Sequence, residues 1–216
     1  MSFYWYKQPG DFLEEMVDGF HIDIVRGKLL IEIQTTNFSS IKNKLATLTK
    51  KHCVRLVFPI AHEKWIVRLA ADGITQLGRR KSPKKGNLFH LFTELVSIPE
   101  LIKNQNFSLE VLLIREEEIR CEDGLGSSRR KGWSISDRRF LMVVSSHIFK
   151  KPADFLAPIP TNLADPFSTH DLAECINQPR WLAQKMAYCL RKMGAIEVTG
   201  KIGNSILYSP ANTSAC

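Results

Sequence analysis

Residues 21–34, His-Ile-Asp-Ile-Val-Arg-Gly-Lys-Leu-Leu-Ile-Glu-Ile-Gln, decide how this chain is read. Two runs rich in Ile, Leu and Val flank Arg26-Gly27, which fits a two-residue hairpin loop. With that loop, Val25 faces Lys28, Asp23 faces Leu30 and His21 faces Glu32. Strand side chains alternate between faces. Phe20, Ile22 and Ile24 then share an apolar face with Leu29, Ile31 and Ile33, as a core requires. The opposite face carries His21, Asp23, Lys28, Glu32 and Gln34. Asp23 and Glu32 are diagonal neighbours there, about 7–8 Å apart at the backbone, so their carboxylates can converge on one cation. Left without a partner they repel, and one pKa rises. An ordinary hairpin with a wet polar side would show the same pattern.

On either side the periodicity predicts a short helix over residues 9–17, with Phe12, Leu13, Met16 and Val17 as its stripe, and a second over residues 41–51. Ser39 or Ser40 is the expected cap of the second helix. Residues 53–59 read as a buried strand and 65–69 as another. Strand, helix, strand implies a right-handed crossover onto a parallel neighbour. Asp23, then Glu32-Ile33-Gln34 on the next strand, then a helix and an apolar strand, resembles the PD-(D/E)xK nuclease superfamily. That resemblance implies an α/β fold, a restriction-endonuclease-like mixed sheet flanked by helices. It also implies that Asp23 and Glu32 hold Mg²⁺ (or Mn²⁺) and that Gln34, at the family's Lys position, orients the attacking water. Family members often add a carboxylate from a preceding helix, a place taken here by Glu15 or its neighbour Glu14. No Pro precedes Asp23, and Gln34 is not Lys. These departures leave a catalytically inactive DNA- or RNA-binding or regulatory protein on the same scaffold as the alternative.

The composition suits a polyanionic partner. The 216 residues carry 30 Lys and Arg against 22 Asp and Glu, a formal net charge of +8. No acidic residue occurs between Glu32 and Glu63, a span that holds Lys42, Lys44, Lys50, Lys51 and Arg55. Residues 79–86 form a second basic cluster (Arg79, Arg80, Lys81, Lys84, Lys85), and residues 127–139 a third (Arg129, Arg130, Lys131) that includes Trp133. Cationic loops with an aromatic side chain can grip a phosphate backbone and stack on a base; singly, each also fits a solvated loop. The five cysteines form no metal spacing, which points to reduced thiols and a cytoplasmic protein, with Cys189 in the core. Neither a signal peptide nor a membrane-spanning run is evident.

Residues 87–104 suggest a helix or helix pair broken at Pro99. A strand starts at Phe107, with Glu116, Glu117 and Glu118 as its solvated end, and residues 140–145 return to a core. Residues 151–166, opening with three prolines in ten residues, read as a linker between a domain over 1–150 and a smaller one over 167–210. The smaller one predicts a helix capped by Ser168 or Thr169, a turn at Asn177-Gln178, a helix with Pro179 at its first position and Gly194 at its end, and a β-hairpin over 195–208. Helix, turn, helix and hairpin resemble the winged helix-turn-helix domain. By position, that resemblance implies nucleic-acid contacts, with DNA favoured, from Gln178, Arg180, Trp181, Gln184 and Lys185 on the second helix and Lys201 on the wing. Five basic and five acidic residues between Asp154 and Pro210 balance to zero, however, and a protein partner or a homodimer is the other expectation for this module.

Overall fold

The structure is a computed structural model and describes residues 4–128 and 132–211. The chain is α/β, with a large mixed sheet and a few helices. Strands β1 (Phe12–Val17), β2 (Phe20–Arg26) and β3 (Leu29–Ile33) form an antiparallel meander. Helix α1 (Phe38–Leu48) then crosses to β4 (Cys53–Leu69), which runs parallel to β3. After β5 (Gln76–Lys81), the short helix α2 (Phe92–Leu95), β6 (Phe107–Cys121) and β7 (Ser134–Phe149), the sheet order is β1-β2-β3-β4-β6-β7, with β5 paired to β4. Helices α3 (Thr169–Cys175) and α4 (Arg180–Met193) precede a hairpin of β8 (Ile196–Ile202) and β9 (Ser205–Pro210).

The described residues divide into two compact units, 10–58 with 89–110 and 148–211, and 4–9 with 59–88, 111–128 and 132–147. This division does not fall at the Pro-rich segment expected to be a linker. Within the first unit that segment is packed: Phe155 is buried and stacks on Phe149 at 4.3 Å, and α4 contacts α2 and the turns at 101–103 and 152–155.

Residues 12–17 form a strand, not the helix their spacing suggests. Gly10 and Gly19, both at positive φ, bracket the segment, and β2 offers it a ladder of hydrogen-bond partners that outweighs its helical spacing. Phe12 and Met16, the expected inward stripe, are exposed. The hairpin loop is also displaced. Arg26 pairs with Leu29 and Val25 with Leu30, so the two loop residues are Gly27, at φ 57°, and Lys28. Arg26 stays in the strand because its guanidinium grips Asp11 with two hydrogen bonds of 2.9 and 2.8 Å. The slip is two residues, so every side chain keeps its face. Ile22, Ile24 and Ile31 are buried as expected. What changes is the pairing, which sets Ile24 opposite Ile31 and leaves Asp23, the next residue back, to take the backbone N–H of Ile33 with its side chain.

Neither Ser39 nor Ser40 caps α1. Its N-cap is Asn37, in the left-handed region at φ 59°, with no capping side chain of its own. Glu94 Oε2 instead accepts from the backbone N–H of Asn37 at 2.7 Å and of Phe38 at 3.3 Å. Phe38, Leu45 and Leu48 fill the core from this helix.

Strand β4 continues through Pro59 without a break, merging two expected strands. Glu116 and Glu118 are buried rather than solvated, because Lys64 bridges both at 3.2 and 2.9 Å. Against the upward pull of burial, Lys64 and Arg120 hold Glu118 below the usual carboxylate range. Gly86 closes the 82–86 loop onto β4: a Cβ there would meet Ala61 O and Ile60 Cγ2 at 2.6 Å, so the N–H of Gly86 can reach Ala61 O at 2.9 Å only without a side chain.

The C-terminal elements follow the expected order. Ser168 caps α3 by accepting from His170 N and Asp171 N while Asp171 accepts from Ser168 N at 2.7 Å, a reciprocal box. Replacing Ser168 by Ala is expected to cost about 1 kcal/mol, read as a lower urea midpoint with an unchanged slope; an unshifted midpoint would show the cap to be idle. Pro179 stands at the N-cap of α4, one place earlier than expected, and Gly194 ends the helix in the left-handed region. Leu182, Met186, Cys189 and Leu190 are its buried stripe. Phe167 pairs with Tyr208 and so joins the hairpin.

Candidate carboxylate site

The meander and the crossover helix bring three charged side chains of the first unit together. Asp23 lies on β2, Glu32 on β3 and Lys44 two turns into α1. Asp23 Oδ2 accepts from the backbone N–H of Ile33 at 2.7 Å, which fixes the carboxylate beside the neighbouring strand. Glu32 is 5% exposed, and Lys44 Nζ lies 2.6 Å from its Oε1, an ion pair made off the hydrogen-bonding axis. The same ammonium donates to the backbone carbonyl of His21. Burial is the largest influence on Glu32 and pushes its carboxyl up to about 7; Lys44 opposes this and the charge of Asp23 reinforces it. Asp23 is also raised, first by burial and then by the charge of Glu14, against the Ile33 N–H and Lys44. Two adjoining carboxylates that both resist ionisation store electrostatic energy that a cation would release.

Two expected members are elsewhere. Gln34 turns away, its Nε2 donating to Thr36 O at 2.6 Å, so it supplies nothing to the carboxylates. Glu15 pairs with Ile22 on an ordinary ladder position of β1, and it is Glu14, at φ 55°, whose charge is felt by Asp23. Lys44, expected as a phosphate contact, is moved by the geometry into the site. Among the described residues, no three His, Cys, Asp or Glu side chains gather as a metal cage.

The expected nucleic-acid contacts scatter more widely. Lys42 lines a groove of about 550 Å³ with Lys50 and Lys103, not the carboxylate side of α1. Arg79 and Lys81 belong to β5 rather than to a loop, flank Trp65 at 5.0 and 5.2 Å, and pair with Glu117 and Glu63. Much of that cluster is therefore neutralised within the sheet, whereas Arg80, Lys84 and Lys85 make no ion pair among the described residues. Arg68 lies over the ring of Trp133 at 5.0 Å, and Arg129, Arg130 and Lys131 fall outside the described residues. On α4, Arg180 and Gln184 line a cleft of about 310 Å³ against β9, joined by Tyr188 and Arg191, which the sequence reading missed. Helical spacing holds the signal: residues 180, 184, 188 and 191 recur every three or four positions. Lys185 sits over Trp181 at 5.7 Å, and Lys201 is exposed on β8.

Residues 4–150 match a family model described as a domain of unknown function, DUF8091. The chain belongs to the DUF8091 family. The carboxylate site lies wholly inside the DUF8091 match, and α3, α4 and the β8–β9 hairpin lie beyond it. The chain is also similar to an uncharacterized protein of Treponema pallidum (strain Nichols), 32% identical over 171 residues that cover 79% of this chain and 68% of that protein. No solved structure matches it. No helix among the described residues is long and apolar enough to cross a membrane.

Proposed function

We propose that this DUF8091 protein binds nucleic acid, DNA being the favoured substrate, and hydrolyses phosphodiester bonds at Asp23, Glu32 and Lys44. The supporting observation is a pair of raised carboxylates on neighbouring strands that both feel one lysine ammonium. The donor set suits Mg²⁺ or Mn²⁺, which are commonly held by one or two carboxylates and substrate phosphate oxygens. Glu32 Oε1 is a buried oxygen met by the Lys44 ammonium at 2.6 Å, where a cation is already favoured, and Asp23 spends one oxygen on Ile33 N, leaving the other for a ligand. A bound divalent ion would supply Lewis-acid polarisation of the phosphate and a water of lowered pKa. Asp23 and Glu32 hold that charge in place. With an ion held there, Lys44 would be able to present its ammonium to a phosphate oxygen, a part distinct from the water-orienting one that the family resemblance gives to Gln34. In this reading α3, α4 and the hairpin form a winged helix-turn-helix whose α4 carries four cations and no acid.

Cleavage of single- and double-stranded DNA and RNA with Mg²⁺ or Mn²⁺ tests the proposal, comparing the native chain with Asp23→Ala and Glu32→Ala. Metal-dependent cleavage that disappears in both variants supports it; cleavage that survives either substitution refutes the site. The ion pair Lys44–Glu32 also favours a second reading, in which the ammonium has replaced the metal for good and the protein only binds. Intact, salt-sensitive binding without cleavage in any metal would establish that alternative. Under both readings, Lys84→Glu with Lys85→Glu is expected to weaken binding uniformly across sequences. The same double change should flatten the log–log salt dependence by about one unit for each phosphate no longer neutralised. Unchanged affinity by fluorescence anisotropy would remove that loop from the interface.

A further inference from the structure

The cleft between α4 and the β8–β9 hairpin gathers polar groups that the fold itself does not use. Arg180, Gln184, Tyr188 and Arg191 form its helical wall, one row along α4. Asn204 and Ser205, at the tip of the hairpin, and Tyr208 face them. No Asp or Glu lines the cleft, and neither arginine is ion-paired among the described residues. Tyr188 is 41% exposed, whereas Tyr208 is buried with its ring 6.0 Å from that of Phe167. Two guanidinium groups beside amides and hydroxyls, with no carboxylate among them, make a donor set for phosphate. A phenol ring open to solvent is a platform for a base. We propose that this cleft takes single-stranded DNA, its phosphates on Arg180 and Arg191 and a base on Tyr188. The inference rests on the nucleic-acid binding proposed above and not on cleavage.

The shape of the cleft selects the strand. Its volume of about 310 Å³ lies at the small end of the roughly 300–1,000 Å³ of ligand pockets and suits one nucleoside phosphate at a time. The major groove of B-DNA, about 12 Å wide, admits one helix or one two-stranded ribbon. A helix with its side chains is already about 10–12 Å across. The row 180-184-188-191 has the hairpin beside it, so it cannot enter that groove as a bare helix would. A single strand is thin enough to lie between the two walls. From Arg180 to Arg191 α4 rises about 16 Å, room for successive phosphates between the two guanidinium groups. Arg191 and Tyr188 are one turn apart, so the phosphate and the base of one nucleotide can reach both. Gln184, a turn further back, is placed to meet a base edge.

Fluorescence anisotropy in EDTA tests this with the carboxylate site kept free of metal, using labelled oligothymidylate and a labelled duplex of the same length. The native chain should bind the strand more tightly than the duplex. Tyr188→Ala should weaken the strand complex by about fivefold to a hundredfold, the effect of losing one stacked base, while duplex affinity stays within about twofold. Tyr188→Trp should restore the strand affinity. Arg191→Ala should lower the log–log salt slope for the strand by about 0.7, the value for one phosphate. A strand bound no better than the duplex, or weakened equally with it by Tyr188→Ala, would overturn the proposal. Unchanged strand affinity in both variants, beside intact metal-dependent cleavage, would overturn the cleft and leave the carboxylate site standing. A strand affinity that depends on Tyr188 in a chain that cleaves nothing would do the reverse.

Discussion

Glu32→Gln is expected to abolish metal-dependent cleavage and to make the fold more stable above neutral pH. The two effects share one cause. Burial holds the Glu32 carboxyl at about 7 in the folded chain, above its ordinary 4.5. Between those values the folded state binds more protons than the unfolded state, so stability falls as pH rises through the window and the penalty is complete above it. Glutamine resembles the protonated carboxyl and does not titrate. The variant should match the native chain near pH 4.5 and exceed it above pH 7, by at most about 3 kcal/mol. Lys44 loses its partner but keeps the His21 carbonyl and a side chain 19% exposed to water. Urea unfolding at about pH 5 and pH 8, beside a cleavage assay, reads both consequences. A variant less stable than the native chain at the higher pH would mean that Glu32 is a structural anchor.

Lys44→Met is expected to slow cleavage by about a hundredfold or more, the scale on which removal of one preorganised donor to a developing charge is felt. Gln34→Ala should leave the rate within a few-fold, because Gln34 already spends its amide on Thr36 and does not face the carboxylates. This pair of substitutions separates the observed geometry from the motif. Lys44→Met should also destabilise the chain above pH 7, since without the cation that favours its ionised form Glu32 must there either bury an unpaired charge or hold a proton. The destabilisation should shrink as pH falls and Glu32 takes up a proton. A pH-independent effect would assign Lys44 a packing role, and a slow Gln34→Ala would return the chemistry to the motif position.

The alternation of Ile and Leu with Asp and Glu makes the hairpin, its core face and both carboxylates readable, because a period of two survives an even slip in register. The slip itself is not readable. Arg26-Gly27 and Gly27-Lys28 are both acceptable loops, and the choice rests on Asp11 holding Arg26, a contact fifteen residues distant. Residues 12–17 mislead for a related reason. Their spacing satisfies a helix locally, and only pairing with β2 makes them a strand. Lys44 is visible as one lysine among several, and its meeting with Glu32 depends on the crossover that lays α1 across β3. Buried Glu116 and Glu118 are likewise legible only once β4 supplies Lys64. The helix-turn-helix-hairpin order is legible in full, since its signals at Ser168, Pro179 and Gly194 are all local.

The cap of α1 has a consequence for how such a site is inherited. Glu94, from outside the helix, binds the first N–H groups that a residue of the helix itself would ordinarily satisfy. It thereby sets the rotational phase of α1, and the phase determines whether Lys44 points at Glu32 or past it. A descendant chain can therefore keep Asp23, Glu32 and Lys44 letter for letter and still forfeit their meeting through a change at residue 94. Judging whether a relative retains the site requires reading a residue that carries none of its chemistry.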